Sequence, residues 1–433
     1  MDGKARVCFA DATKSVREAV ARVFSAFGGG ENLLKSSRDV YLKINAVDSK
    51  PFCFTDPEVI AETVRYFKEA GARDVYVIEN CTQGNFTRLV FTASGIDAAC
   101  RDAGAIPVCL DETGQTPVFL PSLARFVNIS EFVAERLIRN RAENLYVSLP
   151  KLKTHSMSTV TLSVKNQFGF VTHKDRVADH NFQLHRKFAD IFSLVRPDFV
   201  LVDGLLATNH GHYIAEKNAD ECIERPKVLF GGPDALAVDV TGSAFMGISL
   251  EEVEHLRLCA EMGLGTWDLA RIEIEGRELF DSRRMSFTHQ LLERFPADLR
   301  IVKGKERCCP EGCGRNTETL LEVLHCDHGG KGGFTVLMGK GIPEETVRAI
   351  DTPVHLAGSC AISDWGWHFE KEKKKRLVTL SPGCNDLSAS IYSLCKQMKV
   401  NPLSLSGVGI FTSLGALVSA KARGSSSVIP KLF

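Results

Sequence analysis

The sequence predicts an α/β protein of two domains, each with a mainly parallel sheet flanked by helices. Short apolar, β-branched runs alternate with amphipathic helical stretches along most of the chain, the pattern of parallel strands covered on both faces. The 433 residues exceed the roughly 250–300 over which one hydrophobic core can grow. The chemistry-bearing residues also split into two groups, cationic side chains before residue 220 and clustered cysteines after residue 300.

An amphipathic helix is expected near Ser15 to Phe27, then a strand over Asp39 to Ile44 (DVYLKI). Asp56-Pro57 marks a helix start, with Asp as N-cap and Pro at the first position; Val59, Ile60, Val64 and Phe67 recur at helical spacing, and Gly71 ends the helix. Strands follow at Val75 to Ile78, Ile106 to Leu110, Asn144 to Leu149 and Phe199 to Val202. Asp239 to Met246 and Glu251 to Met262 read as helices, and Arg271 to Gly276 alternates like an exposed strand. A second series places strands at Phe334 to Met338, Pro353 to Ala357 and Leu377 to Leu380, with helices between and after them. The resulting division is a first domain over 1–282, a charged, weakly patterned linker over 283–307 and a smaller domain over 308–433. The Gly/Ser-rich tail from Ala422 is expected to fray.

Composition excludes several classes. Lys plus Arg equals Asp plus Glu at 53 each, so no global field draws in nucleic acid or an anionic membrane. No run approaches the roughly 18 apolar residues of a membrane span, and the first residues lack the apolar core of a secretory signal. A cytoplasmic location is expected, where thiols stay reduced and clustered cysteines bind metal or do chemistry.

Seven of the 14 cysteines are scattered before residue 300 and read as buried apolar residues. The other seven lie between Cys308 and Cys395. Cys360 (HLAGSCA) and Cys384 (LSPGCN) each follow a strand and precede a helix, the place where open parallel sheets bind ligands. Cys308, Cys309 and Cys313 (RCCPEGCGRN) lie in the loop leading into this domain. One of the adjacent pair with Cys313, Cys360 and Cys384 makes four thiolates, a set suited to a [4Fe–4S] or [2Fe–2S] cluster, with zinc as the alternative. Of these the [4Fe–4S] cluster is the expectation.

In the first domain, the strand NLYVSL leads into PKLKTHSMSTVTLSVKNQFGFV, which crowds Lys151, Lys153, His155, Lys165 and Asn166 at a strand end. Three lysines there suit an anionic ligand. His155, Lys153 and Lys165 are the candidate catalytic residues, with His155 as proton donor. Lys151, Asn166, Asp203, His210 and His212 are the candidate substrate-binding residues. No Gly-x-Gly-x-x-Gly or P-loop is present.

The phrases PKLKTHSMSTVTLSVKNQFG, LVDG and GGPDALAVDVTGSAFMGI, with VYLKIN, resemble the domain-of-unknown-function 362 family over roughly residues 38–250. That resemblance implies an association with cysteine-bound iron–sulfur clusters in anaerobic bacteria and archaea, often in ferredoxin-type modules. It implies no activity. This chain departs from the pattern in having ATNHGHY, with His210 and His212, after LVDG, and in lacking a compact ferredoxin cysteine run. The combined expectation is an iron–sulfur oxidoreductase acting on a small anionic molecule or cofactor bound between the domains, with a possible redox partner protein. The alternatives are a non-catalytic electron carrier or maturation factor, and a cluster-free Lys/His isomerase or transferase.

Overall fold

The computed structural model describes residues 4–34, 39–384 and 386–429. The first domain is organised by one large sheet. Its main strands lie in the order Ile272–Glu275, Ala5–Asp11, Val228–Gly232, Phe199–Thr208, Asn144–Leu149, Asp39–Ile44, Val75–Glu79 and Ile106–Cys109. All neighbouring pairs are parallel except those of Val228–Gly232, which runs antiparallel to both its neighbours.

Side chains alternate across a strand, and both faces of this sheet are buried. Val40, Leu42 and Ile44 join one core with the helices Val16–Ser25, Pro57–Glu69 and Ile96–Ala103. Tyr41 points the other way, into a core shared with the helices Leu184–Leu194, Ala235–Phe245 and Glu254–Glu261. The Asp56-Pro57 helix start is as expected: the Asp56 carboxylate accepts from Glu58 N at 2.9 Å.

The second domain carries a four-stranded, wholly parallel sheet: Arg300–Lys303, Thr335–Met338, Val354–Ala357 and Val378–Ser381, in that spatial order. Helices Arg315–Cys326 and Leu387–Met398 cover one face, and Gly358–Glu370 covers the other. The stretch 283–307 is therefore not all linker, since Arg300–Lys303 is the edge strand of this sheet. Its four residues are charged at both ends and half-exposed, which leaves no periodic signal in the sequence.

The domains are tied at several points. Lys50 pairs with Asp327, whose carboxylate also accepts from Glu216 N at 3.0 Å and Lys217 N at 3.2 Å. Asn218 Nδ2 donates to Glu322 Oε1 at 3.0 Å. The expectation of a frayed tail is overturned through residue 429; its last residues, 430–433, lie outside the described residues. After the helix Ile410–Ala422, the chain returns to the first domain, where Ser425 Oγ donates to buried Asp111 at 2.8 Å and Ser426 N to Asp111 O at 2.7 Å. Val428 O accepts from Gly84 N at 2.9 Å, and Val428 N donates to His173 Nδ1 at 3.2 Å. Small polar residues, flexible in isolation, supply one donor to this buried carboxylate, from Ser425, and others to the Asp111 backbone oxygen. Among the described residues no helix is long and apolar enough to cross a membrane.

Ser425→Ala removes the donor to a buried carboxylate and should lower unfolding stability by ~1–3 kcal/mol. Urea denaturation measures it, and an unchanged midpoint would mean that the tail is not docked in solution.

Candidate functional site

Two neighbouring cavities lie where the domains meet. The smaller, of about 90 Å³, sits at the carboxyl ends of the strands Asp39–Ile44 and Val75–Glu79 and is lined by residues of both domains. Its floor is a buried ion pair. Lys43 Nζ lies 2.6 Å from Glu79 Oε1 and also donates to Ile44 O at 2.8 Å and Asn166 Oδ1 at 3.3 Å. The second Glu79 oxygen accepts from Ala46 N at 2.6 Å.

Asn166 and Lys165 come from the short helix Leu162–Asn166. That helix is held at its start by a distant carboxylate: Asp239 accepts from Ser163 N at 2.8 Å and Val164 N at 2.7 Å. Burial pushes the Asp239 pKa up to about 8, against the two N–H donors. Asn166 Nδ2 donates to Lys43 O at 3.0 Å, locking the helix onto the strand end. Lys165 faces the cavity with no carboxylate partner among the described residues, its ammonium 5.6 Å from the Phe188 ring. Burial, then Lys153, Arg176 and Lys43, brings its pKa down to about 7, with Glu79 opposing.

His155 ends the strand Lys151–His155 and lies in the same cavity, stacked on His212 at 3.6 Å between ring centroids. Its Nδ1 accepts from Met157 N at 3.2 Å, so a neutral ring carries its proton on Nε2. Burial, reinforced by His212, Lys165 and Lys153, holds His155 well below the ordinary histidine range. A neutral His155 can donate only through its Nε2–H. Lys165 is the better match to neutral pH.

Sequence reasoning missed Arg176 and His180, which also line the cavity. Both lie in HKDRVADHNFQLH, where the spacing gave no functional signal. Four further sequence candidates, Lys151, Asp203, His210 and Lys153, are elsewhere. Lys151 forms a buried ion pair with Asp203 at 2.8 Å; Asp203 also accepts from Asp56 N at 2.8 Å and Leu205 N at 3.0 Å. The pair braces the sheet rather than facing the cavity. His210 bonds through Nδ1 to Gln290 O at 2.9 Å, outside the cavity. Lys153 is wholly buried behind it, donating to Cys53 O at 3.0 Å, and acts on Lys165 and His155 only through its charge.

The larger cavity, of about 360 Å³, lies at the carboxyl ends of the second sheet's strands. Cys309, Cys313, Cys360 and Cys384 all line it, with Asn181 and Arg307. Gly358, at φ +87°, lets the backbone close on this space, for a Cβ there would sit 3.4 Å from Cys313 Sγ. Arg307 Nε donates to Cys309 Sγ at 3.2 Å. Cys308 does not line the cavity. Among the described residues no three His, Cys, Asp or Glu side chains are arranged to hold a metal ion.

The cavities are joined by short segments. His180 lines the small one and Asn181 the large one, where Asn181 Nδ2 donates to Cys384 O at 2.7 Å. Cys313 and Asn316 straddle the start of one helix, and Cys384 and Leu387 the start of another, with the cysteine in the large cavity and its companion in the small one each time.

Residues 40–244 match the family described as Domain of unknown function (DUF362). The matched region holds every lining residue of the small cavity except Asn316 and Leu387, and none of the four cysteines of the large one. A relative, the thylakoid-associated protein sll1697 of Synechocystis sp. (strain ATCC 27184 / PCC 6803 / Kazusa), is 25% identical over 205 residues, covering 45% of this chain. The alignment spans 60% of that relative's length, less than two thirds.

Lys151→Met should cost ~3–5 kcal/mol of stability by stranding the Asp203 charge in the core, seen in urea denaturation, while anion binding in the folded fraction is unchanged. Binding of an anion in the small cavity should be strongest below pH 7, where Lys165 is charged. It should weaken as pH rises through and above about 7, and Lys165→Met should flatten that dependence in a calorimetric titration.

Proposed function

We propose that this protein is an iron–sulfur redox enzyme acting on a small anion held between its domains. The single observation that carries the reading is the abutment of a four-cysteine cavity and a cationic cavity, separated by His180–Asn181. A cubane cluster takes one thiolate per iron around a volume, whereas zinc needs its donors within roughly 2.0–2.3 Å of one point. Four cysteines spread around about 360 Å³, with no three side chains arranged for a single ion, support the cluster over zinc. The lining supports Cys309 rather than Cys308 as the fourth ligand.

A cluster bound there would supply single electrons, exchanged with a redox partner protein in the reducing cytoplasm. The chain's own residues do the rest. Arg176 and Lys165 hold the anion, and three cations against one carboxylate in the lining favour negative charge. Lys165 gives or takes the proton, and the Nε2–H of His155 orients the substrate. Asn316 and Leu387 close the cavity from the second domain and keep water out.

Anaerobically purified protein should contain about four iron and four acid-labile sulfide per chain, with a paramagnetic resonance signal on reduction. Cys360→Ser or Cys384→Ser should lose most of the iron and Cys100→Ser should not. Equal iron in all three would remove the cysteine assignment. Iron-free but active wild-type protein would favour the cluster-free isomerase or transferase reading. Full electron transfer by a Lys165→Met protein would favour a carrier without a substrate.

A further inference from the structure

Arg176 presents a recognition edge that nothing among the described residues uses. Its side chain lines the small cavity, the residue is 6% exposed, and its Nε and Nη2 find no acceptor among the described residues. These two N–H groups share the side-on edge of the guanidinium, whose spacing matches the two oxygens of a carboxylate. The chain uses that edge in this way elsewhere. Arg73 grips Asp39 through Nε at 2.8 Å and Nη2 at 2.7 Å, and Arg88 grips Glu112 at 2.7 and 2.6 Å. At Arg176 no carboxylate among the described residues answers it; the one acid among the cavity's described lining residues, Glu79, is engaged by Lys43 and by backbone N–H groups.

Another set of groups has the opposite polarity. Asn45, Asn80 and Gln83 line the same cavity, and their buried side-chain oxygens receive no donor among the described residues. The Asn80 amide is oriented by its own Nδ2, which donates to Val171 O at 3.1 Å, so its oxygen is the end left free. Buried amide oxygens of this kind need an O–H or N–H from a ligand. His212 Nδ1 is likewise buried without a partner.

We infer that the small cavity binds a small hydroxycarboxylate, with its carboxylate on the Arg176 edge beside Lys165 and each hydroxyl donating to one of the amide oxygens of Asn45, Asn80 and Gln83. The unused donors and acceptors on the cavity wall are the complement of that molecule: a planar two-oxygen anion next to an O–H. A phosphate monoester dianion would meet the cations but bring no donor to the amides. Inorganic phosphate carries its O–H on the same tetrahedral centre as its charge rather than beside a planar two-oxygen anion. A cavity of about 90 Å³ is too small for a nucleotide. This inference rests on the anion-binding half of the proposed function and is independent of the cluster.

Calorimetric titration of the full chain with glycolate, lactate and glycerate, set against acetate and inorganic phosphate, tests it. At least one hydroxycarboxylate should bind, and acetate should bind about tenfold or more weakly, since it leaves the amide oxygens unpaired. Arg176→Lys keeps the charge but loses the two-pronged edge, and should weaken hydroxycarboxylate binding about 10- to 100-fold. Saturating ligand should raise the thermal midpoint of the wild type, and at the same concentration raise that of Arg176→Lys much less, which separates lost binding from lost folding. Absence of binding by all three hydroxycarboxylates, phosphate binding as tightly as they do, or equal affinity for acetate would each overturn the inference. Repeating the titration with Cys384→Ser keeps the two readings apart. Binding retained without iron supports this inference whatever becomes of the redox reading, and iron retained without binding overturns this inference alone.

Discussion

The buried pair of Lys43 and Glu79 is the contact on which the small cavity depends. Each is almost wholly removed from water, at 1% and 3% side-chain exposure, and burying such charges costs several kcal/mol per ion unless every remaining lone pair and proton is used. Here they are used. Lys43 serves Glu79, Ile44 O and Asn166, while Glu79 serves Lys43, Ala46 N and Asn80 N. Burial lowers the Lys43 pKa and Glu79 opposes the shift. Gly169 is packed so closely that a Cβ would come within 2.9 Å of Glu79 Oε1 and 3.0 Å of Lys43 Nζ. The pair thus binds two neighbouring parallel strands, the Leu162–Asn166 helix and the following turn into one rigid floor.

From that floor the chemistry follows by position. Asn166 locked on Lys43 sets where Lys165 stands, and Asp239 holds the start of the same helix from the far side. Lys165 and Arg176 are left without acids of their own among the described residues, an arrangement costly in an unliganded protein. The second domain completes this arrangement. Its helices begin between the two cavities, so Cys313 and Cys384 face one while Asn316 and Leu387 face the other. The docked tail, fastened to Asp111, Gly84 and His173, holds the second domain's end against the first.

Much of this was legible in the sequence where the signal is local. The central strands, the Asp56-Pro57 helix start and the strand-end positions of Cys360 and Cys384 follow from periodicity, capping and turn chemistry within a few residues. The strands Ala5–Asp11 and Val228–Gly232 were not legible. The first is a short apolar run near the chain start and the second ends in two glycines, so neither carries a clear strand pattern. Arg300–Lys303 was hidden in a charged stretch for the same reason.

The sequence by itself determined that this is a two-domain α/β protein, and that cationic residues and cysteines sit at the carboxyl ends of parallel strands. Those properties come from short-range spacing, which a chain displays before it folds. Only the tertiary structure decided which of those residues work together. Lys151 is spent on Asp203, 52 positions away, while Arg176 Nε and Nη2 meet no acceptor among the described residues; Asn181 meets Cys384 across 203 positions. Such pairings depend on which partner the packed core brings within hydrogen-bond reach. A charge neutralised by one distant residue and a charge left for a ligand look the same in the linear chain.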